Sequence, residues 1–164
     1  MIDDDDGVDN LITYRKASIS DVDELVRLRI EFLKEAQNIE SEIYDSCLEE
    51  SLRLYFNNTI SNNTFIAWLA LDDNKIVATS GLCFYNLPPS YKNFTGNVAY
   101  IMNIYTQSDY RNKGIATYLF EKMIEEAKNL GYRKLCLHAT EKGRSLYLKY
   151  GFKNTDNEMV LNLE

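Results

Sequence analysis

The spacing of apolar positions changes along the chain, and each change marks an element. "LITYRKA" (11–17) is a short apolar and polar mixture that reads as a first strand. Leu25, Leu28, Phe32, Leu33 and Ala36 then recur every three or four residues, the period of a helix that buries one face. Ser20 followed by Asp23 reads as the capping box that opens it. Ser46 and Glu49 repeat that signal ahead of a second stripe, Leu48, Leu52, Tyr55 and Phe56. "TFIAWLAL", "DDNK" and "IVATSGLCFYN" read as strand, tight turn and hairpin partner. After the polar loop "LPPSYKNFTGN", the run "VAYIMNIYTQ" is rich in β-branched and aromatic residues and predicts a central strand.

A helix is expected from Gly114 to Leu130, burying Ala116, Leu119, Phe120, Met123, Ile124, Ala127 and Leu130, with Gly131 as its stop. "RKLCLHA" predicts another strand, "EKGRSLYLKY" a short helix closed by Gly151, and "EMVLNL" a last strand. Strand, helix and strand across 97–139 make a βαβ unit, so its two strands should run parallel. The fold class is therefore α/β (α+β), with no internal repeat.

With 164 residues, one domain is expected over 11–164, behind an acidic leader over 1–10. Four consecutive aspartates in "MIDDDDGVDN" repel one another and resemble neither a signal nor a transit peptide. No apolar run approaches the roughly 20 residues that span a bilayer, so the expected location is cytoplasmic, away from membranes. Net charge is −7 and argues against a general nucleic-acid partner. The charge is uneven: residues 1–100 hold 17 acidic and 8 basic side chains, and 101–164 hold 8 and 10. Cys47, Cys83 and Cys136 are far apart, and the single His138 cannot complete a zinc pattern, so no metal is expected.

The basic turn "QSDYRNKGIA" stands out against this acidity. It joins the central strand to a helix, and the first turn of a helix carries N–H groups without intrahelical partners. Gly114 leaves the backbone open to close approach, and Arg111 and Lys113 add positive charge, so the turn suits a phosphate. Neither G-x-x-x-x-G-K-[ST] nor G-x-G-x-x-G is present, which excludes the usual NTP and dinucleotide loops.

"YRNKGIA" resembles the acyl-CoA-binding signature Q/R-x-x-G-x-G/A of the GNAT N-acetyltransferases, with Arg111, Gly114 and Ala116 in its fixed positions. "GRSLYLKYGF" resembles the family's A-x-x-L-Y-x-x-x-G-F segment through Leu146, Tyr147, Gly151 and Phe152, with Gly143 in place of the usual Ala. The resemblance spans roughly residues 12–163. It implies a mixed, mostly antiparallel sheet flanked by helices, splayed at the cofactor site where the central strand is bulged. It also implies acetyl-CoA as cosubstrate. Arg111, Asn112, Lys113, Gly114, Ile115 and Ala116 would hold the pyrophosphate. Ile104, Tyr105 and Thr106 would pair with the pantetheine arm and supply an oxyanion-hole amide. Thr140 would touch the cofactor where the family often has Asn, and Tyr147 would be the general acid. Ser108 stands where Pro is frequent.

The implied reaction is direct attack of a primary amine on the acetyl thioester in a ternary complex. Alkyl amines have pKa values near 10.4, so a base must remove a proton, and Glu141, His138 and Glu31 are the visible candidates. Acids on the first two helices (Glu31, Glu35, Glu40, Glu42, Glu49, Glu50) suit a cationic acceptor, small molecule or protein. The competing reading is a non-catalytic acyl-CoA-binding regulatory module. The apolar "MVLNL" could pair between subunits of a homodimer.

Overall fold

The computed structural model describes residues 11–39, 46–155 and 159–163. Among these, five strands form one sheet in sequential order: β1 (Thr13–Lys16), β2 (Phe65–Asp72), β3 (Lys75–Asn86), β4 (Asn97–Thr106) and β5 (Leu135–Leu137). Neighbours are antiparallel except β4 and β5, which are parallel, as the βαβ connection requires. Four helices flank the sheet: α1 (Val22–Gln37), α2 (Ser46–Ser61), α3 (Ile115–Asn129) and α4 (Glu141–Lys149).

The apolar stripes decide which face each helix covers. Val22, Leu25, Val26 and Leu28 of α1 and Phe56 of α2 pack with Phe65, Ala67 and Leu69 on one side. Phe120, Met123 and Ala127 of α3 pack with Leu82, Ala99 and Ile101 on the other. Fully burying each such Leu or Phe contributes roughly 1.5–3 kcal/mol. Within α3 the buried face is Ile115, Leu119, Phe120, Met123 and Ala127. Leu130, expected in that face, is half exposed because the helix has ended at Asn129.

Two further expectations are corrected. The capping box is Ser18 with Asp21, on a 3-10 turn ahead of the first helix, not Ser20 with Asp23. A 3-10 turn (Ile19–Asp21) precedes α1, and the Asp21 carboxylate accepts the Ser18 N–H at 2.7 Å and two guanidinium bonds from Arg15. The last strand is not formed. Glu158 lies outside the described residues, and 159–163 join no strand, with Met159, Val160, Leu161 and Leu163 all 80% or more exposed. A strand needs a neighbour for its backbone groups, and the sheet edge nearest in sequence, β5, is only three residues long.

The feature that shapes the site lies within β4. Gly81 pairs with Met102 and Thr79 pairs with Tyr105, so Ser80 alone faces two residues, Asn103 and Ile104. That is a β-bulge on β4, and Asn103 takes the left-handed conformation at φ 56°. The extra residue inverts the strand's facing. Before it, Met102 packs toward α1 and Ile101 toward α3; after it, Tyr105 packs toward α1 and Ile104 toward α3. β4 and β5 pair only over Ala99–Ile101 with Leu135–Leu137, and beyond that point they part.

Candidate active site

The gap between β4 and β5 opens into two connected spaces. A narrow slot of about 70 Å³ is lined by Phe32, Ile101, Met102, Asn103, Ile104, Leu137, His138, Thr140 and Tyr147. A larger cleft of about 680 Å³ runs from Ile104 along the turn before α3. Ile104, Tyr105, Thr106, Arg111, Asn112, Gly114, Ile115, Ala116, Thr140 and Tyr147 all line that cleft. Lys113 does not, although its ammonium lies 5.3 Å from the centre of the ring of Tyr110, which does line the cleft.

The open edge of β4 presents backbone donors to this cleft. The Gln107 N–H donates to the Val77 carbonyl at 3.0 Å, toward β3. Strand amides alternate in direction, so the Tyr105 N–H points the same way and those of Ile104 and Thr106 point to the unpaired edge. The Thr106 carbonyl, on that same edge, accepts from Arg111 Nε at 2.8 Å. Arg111 also meets Glu35 of α1 at 2.5 Å, which raises its already high pKa and fixes the guanidinium over the cleft.

Gly114 precedes α3 at φ 79°, a conformation that costs other residues about 1–2 kcal/mol. A Cβ added there would meet nothing within 4 Å, because the position faces open space over the helix N-terminus. Exposed amides, a helix dipole and an approachable backbone together make an anion cradle that fits the diphosphate of a coenzyme.

Tyr147 stands where the slot and the cleft meet, lining both. Its ring packs on Phe120 at 5.2 Å and leans back over the first turn of α4, as long helical side chains do. Gly143, one turn earlier, makes the room: a Cβ there would sit 2.8 Å from the phenol oxygen. Burial pushes the Tyr147 pKa up, so the phenol holds its proton at neutral pH. Thr140 caps α4, its Oγ1 accepting the Gly143 N–H at 3.3 Å, which leaves the hydroxyl proton available to the cleft.

The acetyltransferase (GNAT) family model matches residues 30–152, which contain the bulge, the turn and the tyrosine. The chain belongs to the GNAT acetyltransferase family. Its fold is similar to that of a predicted acetyltransferase from Clostridium acetobutylicum solved with acetyl-CoA, at 39% identity and TM-score 0.85 over 93% of this chain and 96% of that one. It is also similar to a GCN5-related N-acetyltransferase from Ralstonia eutropha JMP134, at 24% identity and TM-score 0.81 over 93% and 99%. Among curated proteins, none matches the chain.

In this GNAT chain the three candidate bases are placed differently. His138 lines the slot, and its Nδ1 shares a hydrogen bond with the Tyr100 hydroxyl. Glu141 lines the cleft at the head of α4. Glu31 lines neither space; it meets Arg27 at 2.5 Å and Gln107 at 3.4 Å. Sequence reasoning did not single out Asn103, whose Oδ1 is buried beside the slot without a hydrogen-bond partner. An Asn inside an otherwise apolar strand was the available signal, since such residues tolerate the left-handed conformation a bulge needs. Phe32 was read as core, and it is instead the α1 residue common to slot and cleft. Among the described residues no helix is long and apolar enough to cross a membrane, and no cluster of three His, Cys, Asp or Glu could hold a metal ion.

Proposed function

We propose that this chain moves the acetyl group of acetyl-CoA to a primary amine by direct attack in a ternary complex. The observation that carries the reading is the position of Tyr147 at the junction of the cofactor-sized cleft and the slot. Acetyl-CoA would supply an acetyl thioester already activated for transfer. The turn from Arg111 to Ala116 would hold its diphosphate, with Lys113 adding charge from beside Tyr110. The open edge of β4 would pair with its pantetheine arm. The outward amides of Ile104 and Thr106 are fixed donors for the carbonyl oxygen on which charge develops.

Tyr147 then serves the departing sulfur. Reference values of about 10 for a phenol and about 8.5 for a thiol already make full proton transfer uphill by about 2 kcal/mol, and burial of Tyr147 makes it steeper. The phenol therefore donates a hydrogen bond first and releases its proton afterwards. The incoming amine enters through the slot, where His138 is the nearest imidazole, and passes its proton outward through water. Holding both substrates in line can contribute roughly 7–11 kcal/mol, so a strong base is not required.

The test is thiol release from acetyl-CoA with a panel of amines, paired with calorimetry of acetyl-CoA binding. Turnover that collapses in Tyr147→Phe while binding persists supports the enzyme. Tight binding with no transfer to any amine would establish the regulatory module instead, a reading favoured only by the absence of any carboxylate lining the slot.

A further inference from the structure

Every arginine around α1 meets a carboxylate, with one exception. Arg15 pairs with Asp21 at 2.7 Å, Arg27 with Glu24 and Glu31, Arg53 with Asp23 and Glu49, and Arg111 with Glu35. Arg29 has no ion pair or hydrogen bond among the described residues. It is nevertheless half-buried, and burial pulls its pKa down. Among the described residues, the titratable groups beside it are the phenols of Tyr55 on α2 and Tyr100 on β4.

Its place on the helix gives the direction. Leu25, Arg29, Phe32 and Ala36 follow one another at spacings of four, three and four, so they share the stripe that faces the sheet. Ala36 lines the cofactor cleft, and Phe32 lines both cleft and slot. Arg29 stacks its guanidinium 5.3 Å from the Phe32 ring centre, one turn farther from the cofactor end. Tyr100, on its other flank, is bonded to His138 in the slot wall. Arg29 lines neither space, but it stands against the slot residue Phe32, about 10 Å along the helix axis from Ala36 on the side away from the cleft.

Burying a cation without a counter-charge is costly, and a stacked aromatic ring returns only about 0.5–2 kcal/mol. A guanidinium in that setting is prepared for a planar, two-toothed anion, either a carboxylate or a phosphate. In the slot lining, the unpartnered Asn103 Oδ1 is a hydrogen-bond acceptor suited to an amine N–H.

We propose that Arg29 is a specificity residue that binds an anionic group on the acceptor, so that the acceptor is an amine carrying a carboxylate or phosphate at its far end. This rests on the acetyl-transfer reading of the site, and it narrows the cationic acceptor suggested by the acids of α1 and α2 to one that carries both charges.

The test compares matched pairs with the full chain: O-phosphoethanolamine against ethanolamine, and β-alanine against 3-aminopropanol. Wild-type kcat/KM should favour at least one anionic member by 10-fold or more over its neutral partner, and which pair shows the preference tells phosphate from carboxylate. Arg29→Gln should reduce that ratio at least 10-fold, through KM, and Arg29→Lys should reduce it less. Equal kcat/KM within both pairs, or an unchanged ratio in Arg29→Gln, would overturn the proposal. Calorimetry of the two anionic amines with CoA-loaded protein gives a readout without turnover. Binding that is lost in Arg29→Gln supports the anion site even if no acetyl transfer occurs, an outcome that would strike the transferase reading alone. No binding to wild type, or equal binding to the variant, counts against Arg29. A thermal midpoint of Arg29→Lys near that of wild type separates lost recognition from lost folding.

Discussion

The two halves of β4 are built from the same kinds of residue and do opposite things. From Ala99 to Ile101 the strand is held by β3 on one edge and β5 on the other, with Ala99 fully buried. From Asn103 to Thr106 only β3 holds it, and the other edge looks into the cleft. Composition separates the halves only through Asn103 and Thr106, polar residues in an otherwise apolar run. One inserted residue at the bulge separates them, by parting β4 from β5 and turning backbone donors outward. The comparison teaches that in this fold the closed half supplies rigidity and the open half spends it at the site.

The largest test removes a support that both halves share. Phe120 is fully buried, packs against Ile101 in the closed half, and carries the Tyr147 ring. Phe120→Ala should cost about 3–5 kcal/mol in urea unfolding and reduce turnover of the molecules that stay folded. Retained activity would show that Tyr147 does not depend on the closed half. Next, Tyr147→Phe acts on the open half alone. Loss of the proton donor should lower kcat roughly 10²-fold or more, with acetyl-CoA affinity near wild type in calorimetry.

Acid provides a control at the far edge of the sheet. The Arg15 guanidinium holds the Asp21 carboxyl down at about 2, below its ordinary 3.8. The unfolded chain therefore takes up the proton first. The stabilisation is complete above about pH 5 and is lost as pH falls through 3.8 toward 2. Because Arg15 is 46% exposed, solvent screening leaves about 1–2 kcal/mol. Urea midpoints of wild type and Asp21→Asn should converge between pH 6 and pH 3. The smallest effect separates the ends of α3. Gly114 and Gly131 share φ 79°, and neither would crowd a Cβ. Alanine at either should cost about 1–2 kcal/mol, but only Gly114→Ala should weaken acetyl-CoA binding. Equal weakening would remove the turn before α3 from the cofactor site.

How much of this was legible in the sequence depends on the range of the interaction concerned. The strands, the four described helices and the parallel β4–β5 pair follow from local periodicity, and the turn and Tyr147 from two short motifs. Ser18 was overlooked because a 3-10 turn shifts the cap by two residues, a difference of backbone pitch that side-chain pattern does not report. "MVLNL" has the composition of a strand, yet 159–163 join none, since pairing depends on a neighbour and not on propensity. Arg29 was passed over because helical periodicity sorts positions by apolarity, and a cation within the stripe looks like an interruption. Only the packed neighbours reveal that it lacks a counter-charge among the described residues.

Gly143 has a consequence for anyone who would improve this protein by making it resemble its relatives. The family pattern places alanine there, and alanine favours helices by about 0.8–1.0 kcal/mol over glycine. In this chain the methyl would fall 2.8 Å from the phenol oxygen it was never shaped around. A consensus substitution chosen to firm up α4 would thus dislodge the proposed proton donor, trading a sturdier helix for a slower catalyst.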